Sequence, residues 1–152
     1  MSEEKIKKIL TDKKLAAIKS MLEKLFSSGL KLGVVTQKGK DFHFEGHRAG
    51  AVFELEKTEI IRLFTVIIGL EDVSQTKPHP EGINKALDKL QSSAKETLFV
   101  GDSFADMTAA QSAGCWSCHA KWGVSSLENY QADFIAETPE ELLGIIRNYH
   151  DI

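Results

Sequence analysis

An apolar run that stops at a glycine and an aspartate constrains this chain more than any other segment. Leu98-Phe99-Val100 leads into Gly101-Asp102, and an alanine-rich stretch from Phe104 to Gly114 carries the chain away. The change from a continuous apolar run to small residues at Ala109, Ala110 and Ala113 predicts a buried parallel strand feeding a helix. Repeated strand–helix units give an open α/β sheet with right-handed crossovers, and such sheets bind ligands outside the carboxyl ends of their strands. Asp102 and Asp106 stand at that junction, four residues apart. Two carboxylates there suit a hard cation such as Mg²⁺, which takes one or two of them and completes its shell with water and phosphate oxygens. The structural alternative is a capping Asp102 and a helix-start Asp106 favoured by the helix dipole.

Two upstream segments share this character. Leu32 to Thr36 is a short apolar run ending in a hydroxyl, followed by Gln37, Lys38 and Gly39. Thr76-Lys77-Pro78-His79-Pro80-Glu81-Gly82 places a lysine just ahead of a helix start. A hydroxyl that donates to a phosphoryl oxygen, a lysine that offsets negative charge and a carboxylate that holds a cation together make a phosphate-and-metal site. Each residue also has an ordinary explanation: Thr36 as a β-branched strand residue, Lys77 and Lys38 as solvated loop lysines.

The rest of the pattern alternates in the same way. Ile6, Ile9 and Leu10, then Ile18, Met21, Leu22 and Leu25, recur at helical spacing, with Thr11-Asp12 interrupting as the cap of a second helix that Gly29 ends. Gly39 to Gly50 reads as a polar loop or a loose helix start, and Val52 to Phe64 as a helix with an uncertain break near Lys57-Thr58. Thr65 to Ile68 is a strand, Gly69 to Pro80 a loop, and Ile83, Ala86, Leu87 and Leu90 a helical stripe. Thr97 to Val100 and Cys115 to Ala120 are strands, and Thr138-Pro139-Glu140-Glu141 is a capping box opening the last helix.

Taken together, VVT, KPHPEGI, FVGDSFADMTAAQSAG and WG resemble motifs two, three and four of the haloacid dehalogenase-like superfamily, closest to small phosphatases of the phosphoglycolate phosphatase and β-phosphoglucomutase type. The resemblance runs from about Asp12 to the carboxyl terminus. It implies an α/β, Rossmann-like three-layer sandwich with a parallel sheet, and Mg²⁺-dependent hydrolysis of a small phosphorylated metabolite. It further implies Thr36 and Lys77 as phosphate-binding and charge-stabilising residues, and Asp102 and Asp106 as the metal site.

One part of that family's chemistry is missing. Its first motif, D-x-D followed by Thr or Val, supplies the nucleophile and the general acid/base from the end of a central strand. This sequence contains no D-x-D, and the segment before Thr36 is lysine-rich and helical. The family's helical cap is absent too, so the chain reads as one partial core domain over residues 1–152, with 1–11 a remnant of a cap or linker helix. The expectation is a hydrolase fold that is inactive alone. The alternatives are a non-catalytic phosphate-binding or protein-interaction module, or a fragment of a longer phosphatase. Losing a central strand strands two rows of backbone groups. Either the neighbouring strands close up, or a second copy or complementing chain supplies the missing strand, or the natural protein is longer. Gln37, in place of the usual Asn or Ser, and the unusual stretch Lys40 to Gly50 depart from the family pattern.

Composition narrows the partners. A net charge of −3 argues against broad nucleic-acid binding, and no apolar run reaches membrane-spanning length. No signal-peptide pattern opens the chain, so a cytoplasmic location is expected. Cys115-Trp116-Ser117-Cys118-His119 spells the C-x-x-C-H pattern of haem attachment or redox chemistry. Its position on an expected buried strand, where residues three apart face opposite sides, marks the thiols as core filler instead. His79 sits between prolines as a loop residue, and His43 and His47 lack a zinc-site context.

Overall fold

The computed structural model describes residues 2–123 and 131–149. The chain begins with one continuous helix, α1 (Glu3–Ser27), so the break expected at Thr11-Asp12 is not there. Thr and Asp cost a helix interior less than about 0.7 kcal/mol each, too little to stop a run of Lys, Leu, Ile and Ala. The end of α1 is built as read. Gly29 takes the left-handed conformation (φ 85°), and Gly29 N–H donates to the Phe26 carbonyl while Leu30 N–H donates to that of Leu25. That is a Schellman stop, in which only glycine takes the left-handed position without strain.

Strand β1 (Gly33–Val35) follows, then an antiparallel hairpin, β2 (Phe42–Phe44) and β3 (His47–Ala49). This hairpin replaces the loop or loose helix expected between Gly39 and Gly50. Its turn, Glu45-Gly46, has positive φ at both residues (48° and 80°), the geometry that matches strand twist in two-residue hairpins. The usual Asn-Gly or Asp-Gly signal is absent, and Glu at the first position hid the turn. His43 pairs with Arg48 and His47 with Phe44, so the two histidines stand on opposite faces. Helix α2 (Ala51–Lys57) ends at Thr58, and Glu59 turns left-handed (φ 63°) before a single 3₁₀ turn at Ile61–Leu63. The expected helix from Val52 to Phe64 therefore breaks near Lys57-Thr58.

Strands β4 (Val66–Ile68), β5 (Leu98–Gly101), β6 (Trp116–Ala120) and β7 (Phe134–Ala136) alternate with helices α3 (Glu81–Leu90), α4 (Phe104–Ala113) and α5 (Pro139–Tyr149). All of their pairings are parallel, yet they form two sheets: β4 with β1, and β5 with β6 and β7. Helices cover both faces. On one, Met21 and Leu25 of α1 and Leu142 and Leu143 of α5 close over Cys118 and Ala136, with Leu32 and Leu98 against the same cluster. On the other, Ile83 of α3 and Ala109 and Ala110 of α4 pack with Val35, Phe99 and Cys115. The result is a three-layer, Rossmann-like arrangement in which small alanines let α4 approach the sheet.

The two thiols fall into different clusters on opposite faces. Both are free, and burial pushes Cys118 up to about 11 and raises Cys115 as well. A protonated, buried thiol is a poor nucleophile and ligand. Thr138 caps α5 by accepting from Glu141 N–H, while the Glu141 side chain accepts from Glu137 N–H, one residue before the donor a reciprocal capping box would use. Among the described residues, no helix is long and apolar enough to cross a membrane.

Leu142, 2% exposed, joins α5 to α1 across this core. Leu142→Ala is expected to cost about 2–5 kcal/mol, seen as a lower urea midpoint with an unchanged m-value.

Candidate functional site

The carboxyl ends of β1 and β5 meet at one ammonium group. Lys77 Nζ donates to the Val35 carbonyl of β1 at 3.3 Å and to Asp106 Oδ1 at 2.6 Å, and it lies 5.8 Å from the centroid of the Phe99 ring on β5. Both partners are nearly enclosed, with side chains 13% and 10% exposed. Lys77 reaches this place from the loop between β4 and α3, whose position Gln37 secures by donating to the Lys77 carbonyl at 2.8 Å.

Asp106 is held from both sides. Its Oδ2 accepts from the N–H groups of Asp102 (3.1 Å) and Ser103 (3.2 Å), while the Ser103 hydroxyl accepts from Asp106 N–H at 3.1 Å. This reciprocal capping box starts α4. Burial opposes ionisation of Asp106, but the hydrogen bond and charge of Lys77, with help from Ser103 and the Asp102 backbone, outweigh it and hold the carboxyl below its usual value. Gly101 makes room for this: a Cβ there would stand 2.4 Å from the Asp106 Cβ. The spacing G-D-S-x-x-D thus encodes a glycine floor, a cap and a buried anion in one turn.

Thr36 sits just beyond β1, its N–H donating to the Ile68 carbonyl at 2.9 Å. Its hydroxyl oxygen accepts from Lys38 N–H at 3.1 Å, which leaves the hydroxyl hydrogen directed elsewhere. Thr36, Gln37, Thr76 and Lys77 line one small hollow with Val35 and Gly82. Asp102 is half-buried at the end of β5 and lies against the Gly123 backbone, where an added Cβ would stand 2.3 Å from its carboxylate oxygen. That contact is the physical reason for Trp122-Gly123.

The four residues singled out in the sequence therefore gather at one end of the sheet, but not as a symmetric carboxylate pair. Asp106 is committed to Lys77 and to the helix start, while Asp102 stands just beyond β5, against Gly123. Among the described residues no three His, Cys, Asp or Glu side chains converge as a metal cluster. The donor set suits a cation that takes most of its shell from water and phosphate. Lys38 instead pairs with Glu54 at 3.0 Å on the surface. His79 Nδ1 accepts from Glu81 N–H at 3.1 Å and shapes the start of α3. Sequence reasoning missed Ser103, although Ser-x-x-Asp before a helix is a readable cap, and it missed the Val35 carbonyl and the Phe99 ring, which carry no side-chain signal.

Known proteins share this fold. The family model described as haloacid dehalogenase-like hydrolase matches residues 2–120. The pyrophosphatase PpaX of Anoxybacillus flavithermus is 34% identical over 137 residues, covering 88% of this chain and 60% of its own. The crystal structure of a predicted phosphoglycolate phosphatase from Haemophilus somnus superposes with a TM-score of 0.72 at 31% identity, covering 84% of this chain and 54% of that one. A hydrolase of the same superfamily from Geobacter sulfurreducens gives 0.71 at 24% identity, with 85% and 58% covered, and attests the fold alone. This chain spans less than two thirds of the length of each of these relatives.

Two consequences can be measured. Gly123→Ala is expected to displace the Asp102 carboxylate and lower stability by about 1–3 kcal/mol, as overpacking does, read by urea unfolding. Asp106 titrates lower folded than unfolded, so its ionised form contributes stability fully present above the unfolded value of about 3.9 and lost as the pH falls through the folded value. Asp106→Asn is expected to cost about 3 kcal/mol near pH 7. The gap between the two proteins' urea midpoints should begin to narrow below about pH 4 and close as the pH falls through the folded value.

Proposed function

Because this chain belongs to the haloacid dehalogenase-like hydrolase family, we propose that it forms the phosphate- and cation-holding part of a Mg²⁺-dependent phosphomonoester hydrolase and is inactive by itself. The observation that carries this reading is the meeting of β1 and β5 at Lys77. An ammonium has three donors, and two are used by Val35 and Asp106. The third is available to a phosphoryl oxygen, beside the Thr36 hydroxyl. Asp106 fixes the position of Lys77 in a nearly enclosed place. Asp102 would hold Mg²⁺ in company with water and the substrate's oxygens; when bound, the cation offsets charge on the phosphoryl group and orients it.

No side chain in this constellation is a carboxylate nucleophile. Asp106 is engaged by three donors, and this reading gives Asp102 to the cation. The relative named pyrophosphatase PpaX and the structure described as a phosphoglycolate phosphatase point to a phosphoryl group as the element of substrate to be held.

An aryl phosphate and pyrophosphate, each with and without Mg²⁺, test the reading on the parent chain and Asp102→Asn. Neither protein is expected to show Mg²⁺-dependent turnover. Inorganic phosphate should bind the parent with Mg²⁺ present and bind Lys77→Met at least tenfold more weakly, by calorimetry. Turnover in the parent above Asp102→Asn would overturn the inactivity. Equal phosphate binding by parent and Lys77→Met would overturn the site.

A further inference from the structure

We propose that Trp122 is a positioning residue for Asp102: it anchors a turn whose last residue holds that carboxylate in one orientation, and so sets how well a divalent cation binds. The inference rests on the reading above that gives Asp102 to the cation. It assigns a role to a residue outside the constellation of Thr36, Lys77, Asp102 and Asp106.

Asp102 is fixed at its backbone and along its side chain by different parts of the protein. Gly101, the last residue of β5, pairs with His119 of β6, and Asp102 N–H donates to Asp106 Oδ2 at 3.1 Å. Those bonds place the backbone and do not by themselves choose a rotamer. Gly123 supplies the further constraint. A Cβ added there would stand 2.3 Å from both the Cβ and Oδ2 of Asp102, so the side chain lies flat along the Gly123 backbone from root to tip. A carboxylate packed in this way has less rotamer freedom to give up when a cation arrives.

Gly123 can act as such a wall only if its own backbone is held. It closes the turn after β6, where Gly123 N–H donates to the Ala120 carbonyl at 3.2 Å and Lys121 N–H donates to the Ala136 carbonyl of β7 at 2.9 Å. The Lys121 ammonium also pairs with Glu137 at 3.2 Å. Trp122 stands between these two residues. Its half-buried side chain packs against the cluster that Met21 and Leu25 of α1 form with Leu142 of α5. Its carbonyl accepts from Lys14 Nζ of α1 at 3.4 Å. The turn is thus tied to α1 twice, once through the core and once at the surface.

Segments with few buried apolar contacts open most readily, and Trp122 gives this turn a large one. Its loss would let Gly123 draw back from Asp102, and a shift of about 1 Å in a supporting group is enough to loosen a built site. The phosphate side of the site is held by other bonds. Lys77 is fixed by the Val35 carbonyl and Asp106, and the Thr36 hydroxyl by Lys38 N–H. A change at Trp122 should therefore reach the cation and spare the phosphate, a separation that a general loosening of the fold would not produce.

Calorimetry of inorganic phosphate binding to the full chain, over a series of Mg²⁺ concentrations, tests this. In Trp122→Leu the Mg²⁺ concentration that gives half of the tightening is expected to rise about fivefold or more, the scale of one side chain that must be ordered on binding. Phosphate affinity without metal should stay within about twofold of the parent. Trp122→Phe keeps an aromatic anchor and should restore the Mg²⁺ response to within about twofold. Lys14→Met leaves the core intact and should raise the Mg²⁺ requirement about twofold, the scale of one hydrogen bond; it decides the matter if Trp122→Leu does not fold. An unchanged Mg²⁺ requirement in the folded variants would overturn the proposal. So would an equal loss of metal-free phosphate binding, which marks a merely structural role. If Mg²⁺ does not tighten phosphate binding in the parent, or tightens it as readily in Asp102→Asn, the reading that gives Asp102 to the cation falls, and this inference falls with it.

Discussion

Everything at the carboxyl end of this sheet hangs on the pair formed by Lys77 and Asp106. Taking two charges out of water costs several kcal/mol per ion, and their attraction offsets that only where further hydrogen bonds satisfy the remaining donors and acceptors. The structure meets this condition in detail. Asp106 receives two backbone N–H groups besides the lysine, and Lys77 gives a second bond to the Val35 carbonyl. Those demands propagate outward. Gly101 must lack a side chain, Ser103 must cap α4, and the loop carrying Lys77 must be tied to Gln37. Among the described residues the two sheets share no strand hydrogen bonds, and the ion pair ties the loop after β4 to the helix after β5.

Much of this was legible in the sequence because it rests on patterns with short range. The apolar runs at Leu32 to Thr36, Thr65 to Ile68, Thr97 to Val100 and Cys115 to Ala120 all contain strands, since short continuous apolar stretches bounded by turns suit buried strands. The stripe Ile83, Ala86, Leu87 and Leu90 faces the core as its spacing requires. Thr36, Lys77, Asp102 and Asp106 converge because each sits at a strand end or in the loop after one, and parallel topology brings those ends together. What spacing alone left open was their division of labour. Whether Asp106 faces a cation or a lysine depends on where Lys77 travels, and that is a tertiary fact.

The misreadings have local causes of a different kind. Thr11-Asp12 has the composition of a cap, but a cap needs a preceding stop, and none of the residues before it breaks a helix. The hairpin at Phe42 to Ala49 was hidden because its turn uses Glu45 where Asn or Asp is usual. Ion pairs tie the hairpin to its surroundings: Arg48 bonds Asp41 and Glu56, each at 2.8 Å. Lys40 pairs with Asp72 at 3.0 Å.

The strands show where composition and structure disagree. β1 and β5 are as apolar as β4, yet β4 is buried and they are not. Apolar area left against water forgoes about 25 cal/mol per Å², and unpaired strand groups forgo their hydrogen bonds as well. A sequence that settled on this arrangement for its own sake would place polar residues on the exposed edges, as edge strands commonly do. Gly33-Val34-Val35 and Leu98-Phe99-Val100 carry none.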